Sequence, residues 1–232
     1  MANYLIIGAS SGIGQAIALQ LAEAGHQVFG SFNEKEIHSE HPFLKYFRLN
    51  VFDEGFSLDF LQEAISGLVY SPGSINLRSF ERIKSTDFID DFQLQVIGAV
   101  KILQAVLPKM KKSEHASIVL FSTVAVQTGL PFHTMVSASK GAIEGLTKAL
   151  AAEYAPKIRV NCIAPSIKDT PLANPFLNTE QKRDASAQRH PLKRIGKPDD
   201  IAHLATFLLS EKAGWITGQV IHVDGGFSSL RV

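Results

Sequence analysis

The sequence predicts an α/β fold, a doubly wound parallel sheet with helices on both faces, and three observations predict it. Strand and helix signals alternate along all 232 residues, with no low-complexity linker, long charge block or internal repeat. The first apolar run, residues 4–7, is cut at once by Gly8, Gly12 and Gly14. A helical pattern then opens directly out of that glycine turn.

Composition bounds the rest. At 232 residues and 45% hydrophobic, the chain fits one α/β domain spanning 1–232 with a sizeable core. Its 23 basic and 22 acidic residues leave a net charge of +1, which gives no electrostatic reason to expect nucleic acid or an anionic membrane as partner. Cys162 is the single cysteine, so an intramolecular disulfide and a cysteine metal cluster are excluded. The N-terminus lacks a basic region ahead of a long apolar stretch. A reduced, cytoplasmic protein without a metal is expected.

Taken in order, residues 4–7 form a buried strand, and the helix from Gln15 repeats Ile17, Leu21 and small alanines until Gly25 caps it. The turn between them holds Gly8, Ser10, Ser11, Gly12, Ile13 and Gly14. A helix N-terminus offers unpaired N–H groups and a positive dipole to an anion, and glycine lets the backbone approach closely. A tight strand-to-helix connection would use the same residues. Their place after the first strand favours the phosphates of a dinucleotide and a Rossmann fold.

The second strand, Gln27–Phe32, reaches Ser31 where such folds often place an acid against the adenosine ribose. Ser31, Asn33 and Lys35 suit a 2′-phosphate that an acid would repel, so NADP is expected ahead of NAD, although an ordinary polar turn reads the same way. After a third strand at 45–49, Asn50 and Val51 offer an amide and an apolar contact to adenine. Residues 52–66 leave room for one helix, 58–65. The fourth strand, Gly67–Tyr70, ends in the turn Ser71-Pro72-Gly73 on the same sheet edge as the glycine loop, where ligands bind.

A long helix at 88–110 carries Phe92, Val96, Val100, Leu103 and Leu107, a stripe for core or subunit contact. Gln95 interrupts it, and its amide reads as bonded to a neighbouring carbonyl. The fifth strand, 117–122, delivers Ser122 and Thr123 to the ligand edge, where a hydroxyl can orient a carbonyl. A helix at 137–154 is rich in small residues: Ala138, Gly141, Ala142, Gly145 and Ala149. Lys140 sits near its N-terminus against the dipole, which implies a ligand. A sixth strand at 159–163, a helix at 199–210 and a strand Val220–Val223 follow, and the polar segment 166–194 is the expected substrate lid.

At this point the residues resemble the short-chain dehydrogenase/reductase family over essentially the whole chain. Gly8-Ala9-Ser10-Ser11-Gly12-Ile13-Gly14 is similar to its cofactor loop and Ser139-Lys140-Gly141-Ala142 to its active-site helix. Arg159-Val160-Asn161-Cys162-Ile163-Ala164-Pro165-Ser166 and Gly218-Gln219-Val220-Ile221-His222-Val223-Asp224-Gly225-Gly226 resemble two of its strand signatures. The resemblance implies a seven-stranded parallel sheet, NADP(H) or NAD(H), and hydride transfer between nicotinamide and a carbonyl, alcohol or activated alkene. It further implies cofactor contacts from Ser71, Gly73, Lys140, Pro165, Ile167 and Thr170, and a homo-oligomer, tetramer or dimer.

The catalytic positions depart from the family pattern of Asn, Ser, Tyr and Lys. Four residues before Lys140 the tyrosine position holds Val136, thirteen before that the serine position holds Thr123, and three before Gly98 the asparagine position holds Gln95. Thr123 keeps a hydroxyl and Gln95 an amide. Val136 keeps no exchangeable proton, and the family's tyrosine is its proton donor. Pro72 replaces a backbone donor in the turn after the fourth strand, and Ile7 stands where threonine is common. His133, seven residues before Lys140, occupies the spacing at which related enoyl-carrier-protein reductases place their tyrosine. Two readings follow: a reductase with a rearranged proton donor, or a dinucleotide-binding sensor or scaffold without chemistry.

Overall fold

The computed structural model describes residues 1–231. Its strands β1 (Asn3–Ile7), β2 (Gln27–Phe32), β3 (Leu44–Arg48), β4 (Gly67–Tyr70), β5 (Ala116–Phe121), β6 (Ile158–Pro165) and β7 (Val220–Val223) form one seven-stranded sheet in the order β3-β2-β1-β4-β5-β6-β7. Every pairing is parallel. The helices are α1 (Gly12–Glu23), α2 (Ser85–Phe92), α3 (Gly98–Met110), α4 (Ala125–Thr128), α5 (Thr134–Tyr154), α6 (Asn174–Leu177), α7 (Glu180–Gln188) and α8 (Pro198–Leu209).

The strands read as unbroken apolar runs because both faces of the sheet are covered. Along β1, Leu5 and Ile7 pack with Leu68, Ile118, Ile102 of α3 and Ile143 of α5. Tyr4 and Ile6 point the other way, onto Val69, Val119, Ile17 of α1 and Ile201 of α8. With β2 and β3 on one side of β1 and β4 on the other, the strand order reverses between β1 and β4. A crevice opens there at the carboxyl ends.

Three expectations need correction. Residues 58–65 form no helix: Ser57 Oγ accepts the Asp59 N–H at 3.1 Å and donates to the Asp59 carboxylate at 2.7 Å, a local turn that competes with helix. Leu58, Leu61 and Ile65 are buried one by one, as anchors of an irregular segment. The long helix at 88–110 begins earlier, at Ser85, and is interrupted by a π-helical turn, Gln93–Ile97. Its stripe serves the core: Val96, Leu103 and Leu107 are buried and only Phe92 stands open. The helix expected at 137–154 begins a turn earlier, at Thr134, which puts Lys140 beyond its first turn, and on it Ala138, Gly145 and Ala149 face solvent.

Candidate active site

The glycine loop and the turn after β4 meet at the switch point. Gly8 has φ +81°, and a side chain there would lie 3.1 Å from the Pro72 nitrogen. A Cβ on Gly14 would lie 2.1 Å from the Gly8 carbonyl oxygen, so α1 starts against the loop only because Gly14 has none. Ser11, the N-cap of α1, makes no side-chain capping bond, and the first turn carries no acid. The N–H groups of the first turn therefore remain available to an anion. Ser10 and Ile13 are half-buried beside them, and Gly12 packs on the Thr170 side chain, 3.3 Å from where its Cβ would stand. This cradle fits the pyrophosphate of a dinucleotide.

At the adenosine end the assignment of Ser31 changes. Its side chain is buried, its Oγ accepts the Gly8 N–H at 2.9 Å and its carbonyl accepts the Ala9 N–H at 2.8 Å. Ser31 props the glycine loop and is not presented to a 2′-phosphate. Asn33 and Lys35 are exposed just beyond it. Arg48 joins them, donating through Nε to the Asn33 carbonyl at 3.4 Å, because the β2–β3 register sets Arg48 opposite Phe32. Asn50 is turned onto its own loop, with Nδ2 on Asp53 at 2.9 Å and Oδ1 accepting from the Phe52 N–H at 3.1 Å. Val51 is buried in the core.

One cavity of about 440 Å³ gathers Ile13, Ser71, Gly73, Gln95, Thr123, His133, Val136, Lys140, Pro165, Ile167 and Thr170. Apolar Ile75, Leu77, Leu130, Leu172, Phe176 and Phe227 line it too, along with the polar Ser166, Lys168, Arg189 and His190. Val136 lies one turn before Lys140 on α5, so both side chains share a helix face. Burial pushes the Lys140 ammonium down to about 8, against the opposing pull of Asp91. Among the described residues it makes no hydrogen bond.

Asp91 is the residue that sequence reasoning missed. Its carboxylate is buried and accepts from Ser74 Oγ at 2.5 Å, Ser139 Oγ at 2.6 Å and Gln95 Nε2 at 2.8 and 2.9 Å. Gln95 thus bonds a carboxylate, where a carbonyl partner was expected. Its Oε1 has no partner among the described residues and lies 3.6 Å from the position of a Cβ on Gly73, with Lys140 Nζ 3.8 Å from the same point. The Asp91-to-Gln95 spacing of one turn on an otherwise apolar helix face was the available signal.

Thr123 is half-buried, and its Oγ1 accepts the Ala125 N–H at 3.3 Å, which leaves its own O–H to donate into the cavity. Ser122 turns away and donates to buried Glu144 at 2.6 Å. His133 Nδ1 lies 2.7 Å from the Pro131 carbonyl. A carbonyl only accepts, so Nδ1 carries the proton and Nε2 is left at the cavity rim. Tyr70 is no substitute for the missing tyrosine: its buried hydroxyl donates to the Leu94 carbonyl at 2.5 Å, and burial raises its pKa.

Among the described residues no cluster of His, Cys, Asp and Glu could hold a metal ion, and no helix is long and apolar enough to cross a membrane. The sequence model of the family described as Enoyl-(Acyl carrier protein) reductase matches residues 8–228. The chain is 33% identical to the 3-oxoacyl-(acyl-carrier-protein) reductase FabG of Thermotoga maritima, over 96% of each chain. Aldohexose dehydrogenase of Thermoplasma acidophilum, in ligand-free form, superposes with a TM-score of 0.90 at 29% identity, covering 99% of this chain and 95% of that one. ElxO with NADP bound superposes with a TM-score of 0.90 at 27% identity over 99% of both chains. The glycine cradle, the parallel sheet and these likenesses together show that the chain belongs to the short-chain dehydrogenase/reductase family of NAD(P)-dependent oxidoreductases.

Proposed function

We propose that the chain reduces a carbonyl carried on an aliphatic acyl substrate, with NADPH as the preferred reductant. The observation that carries this reading is one cavity that Thr123 and Lys140 line together with the apolar Ile75, Leu77, Leu130, Leu172, Phe176 and Phe227. Similarity to a 3-oxoacyl reductase supports the substrate class. The glycine loop, Ser71, Gly73, Pro165, Ile167 and Thr170 would hold the dinucleotide, which supplies the hydride when bound. Ser31 and Phe32 put no acid at the last positions of β2, and Lys35 and Arg48 beyond them favour the phosphorylated cofactor by charge attraction, against the exposed Glu34 and Glu36 that flank Lys35.

The chain's own groups handle the oxygen. Thr123 donates a hydrogen bond to the carbonyl, and the Lys140 ammonium offsets the negative charge that builds there. Asp91 holds Gln95 in the wall beside Lys140, and His133 stands at the rim. Val136 supplies only shape. The exposed small-residue face of α5 supports a homo-oligomer, a dimer or tetramer, and the one free, buried cysteine, Cys162, fits a reducing, cytoplasmic compartment.

The test is NADPH consumption with a 3-oxoacyl thioester and a 2-enoyl thioester of the same chain length. Turnover of the first alone is expected. Turnover of the enoyl thioester alone would move the chemistry to alkene reduction, and consumption of neither, with dinucleotide bound by calorimetry, would overturn the reductase reading. Light scattering at micromolar concentration checks the oligomer, and a monomeric mass would exclude it.

A further inference from the structure

Among the residues that line the cavity there is no Asp or Glu, while Lys140, Lys168 and Arg189 bring three cations to it. The chain as a whole carries a net charge of only +1, so this excess is local. Two of the three are engaged. Lys140 stands with Thr123 at the reacting carbonyl, and Lys168 donates to the Val223 carbonyl at 2.8 Å and reaches Ser166 Oγ at 3.5 Å. Arg189 is different: among the described residues its guanidinium makes no hydrogen bond and no ion pair. It follows directly on α7, whose dipole favours a cation at that end, yet no carbonyl accepts from it.

An aromatic ring holds the charge instead. Arg189 Cζ lies 5.3 Å from the centroid of Phe227, a cation–π contact that leaves the N–H donors of the fork without an acceptor. The local sequence builds this support. Gly225 and Gly226 have φ +63° and +86°, and the Asp224 carboxylate accepts the Gly226 N–H at 2.9 Å and the Ser228 N–H at 2.8 Å, which closes a tight turn directly after β7. The Phe227 ring also lies 5.4 Å from the ring of buried His190. That histidine is fixed in turn, with Nδ1 2.8 Å from the Ser186 carbonyl and Nε2 2.9 Å from Ser166 Oγ.

The phosphates of the dinucleotide belong elsewhere. The glycine loop follows β1, and Lys35 and Arg48 follow β2 and end β3, whereas Phe227 follows β7 at the opposite edge of the sheet. Four strand spacings of about 4.8 Å separate β7 from β1, roughly 19 Å.

We propose that Arg189 reads a carboxylate at the far end of the acyl chain, so that the substrate is an acyl thioester whose chain ends in an acid group. This inference rests on the reductase reading. The carbonyl lies at Thr123 and Lys140, the chain follows Leu172, Phe176 and Phe227, and the terminal carboxylate takes two N–H bonds from the Arg189 fork. One guanidinium matches one carboxylate in charge. A phosphate monoester carries nearly two charges, and Lys140 and Lys168 are engaged elsewhere.

The experiment uses 3-oxoacyl thioesters of N-acetylcysteamine, a carrier without phosphate, in pairs of equal chain length that end in a methyl group or in a carboxylate. Reduction by NADPH, and calorimetric titration into the NADP-bound protein where no hydride is available, are measured in wild type, Arg189→Gln and Arg189→Lys. Wild type is expected to favour the carboxylate by about tenfold or more in affinity and in kcat/KM, through KM with kcat little changed. Arg189→Gln should abolish that preference by weakening the carboxylate-ended thioester alone. Arg189→Lys keeps the charge without the fork and should retain part of the preference. Equal treatment of the two thioesters by wild type, or an equal loss for both in Arg189→Gln, would overturn the inference. So would a loss in Arg189→Gln confined to a methyl-ended thioester on a phosphate-bearing pantetheine arm, which would assign Arg189 to the carrier. If neither thioester is reduced, the titration still decides for or against the carboxylate, and the reductase reading falls separately.

Discussion

The Gln95 side chain is clamped by Asp91, its Nε2 within 2.9 Å of both carboxylate oxygens, so the amide at the family's asparagine position is oriented from one turn back along the same helix. Asp91→Asn replaces one acceptor oxygen with a donor facing Ser74, Ser139 and Gln95. Leaving a buried donor without an acceptor costs about 1–3 kcal/mol. Denaturant unfolding should therefore find Asp91→Asn less stable by about that amount, and reduction should slow as Gln95 loses its orientation. An unchanged midpoint would show that the network is not stabilising.

Val136 and Lys140 border the same cavity from α5. Val136→Tyr restores the family's donor one turn before Lys140 and should raise the rate of carbonyl reduction. A general acid typically contributes 10²- to 10⁴-fold, so a gain of at least about tenfold is readable in NADPH consumption. His133→Ala should lower the rate only modestly, because its Nδ1 hydrogen is already committed to Pro131.

Lys35 and Arg48 set the cofactor preference in this account. Lys35→Glu combined with Arg48→Glu should weaken NADPH binding by at least about tenfold, since each charge-assisted bond to a phosphate is roughly twice as strong as a neutral one. Binding of NADH should change little. Calorimetric titration of both dinucleotides measures the ratio, and equal losses for the two would remove the 2′-phosphate from the argument.

Burial lowers both Lys140 and Lys168 to about 8 from an ordinary 10.5. Above pH 8 the unfolded chain binds more protons at these sites than the folded one, so stability rises with pH. The thiol of Cys162, pushed by burial from 9.0 up to about 12, acts in the opposite sense once pH passes 9. A melting temperature that climbs between pH 8 and pH 9 is expected. The climb should shrink in Lys140→Met and in Lys168→Met, and a flat profile in wild type would contradict the burial of both ammonium groups.

The sheet was legible because its strands are apolar on both sides and end at glycine or a turn. β2, β4 and β7 fall where their β-branched and aromatic runs put them. The same reading failed at 58–65, where Leu58, Leu61 and Ile65 have helical spacing but Ser57 and Asp59 close a turn on themselves. In the site, the sequence sets Lys140 near the N-terminus of a helix expected from 137, but α5 starts at Thr134 and leaves Lys140 beyond the first turn. The family motif Ser139-Lys140-Gly141-Ala142, and not the dipole, identifies it. Asp91 has no such signal, since an acid beside Asp90 in a helical stretch reads as a solvated face. Ser166 and His190 are 24 residues apart and meet only through the tertiary fold, which no local pattern reports.

The π-helical turn Gln93–Ile97 also fixes how the helix is geared. It carries one residue more per turn than an α-helix, and each residue of an α-helix advances the azimuth by about 100°. Deleting a single residue inside it would keep the helix continuous while swinging Asp91 and everything before it around the axis by roughly that angle. The acid would leave Ser74, Ser139 and Gln95, while Gly98 and the core residues beyond stayed in place. Chain length at this one turn is thus as much a determinant of the site as the identity of any side chain in it.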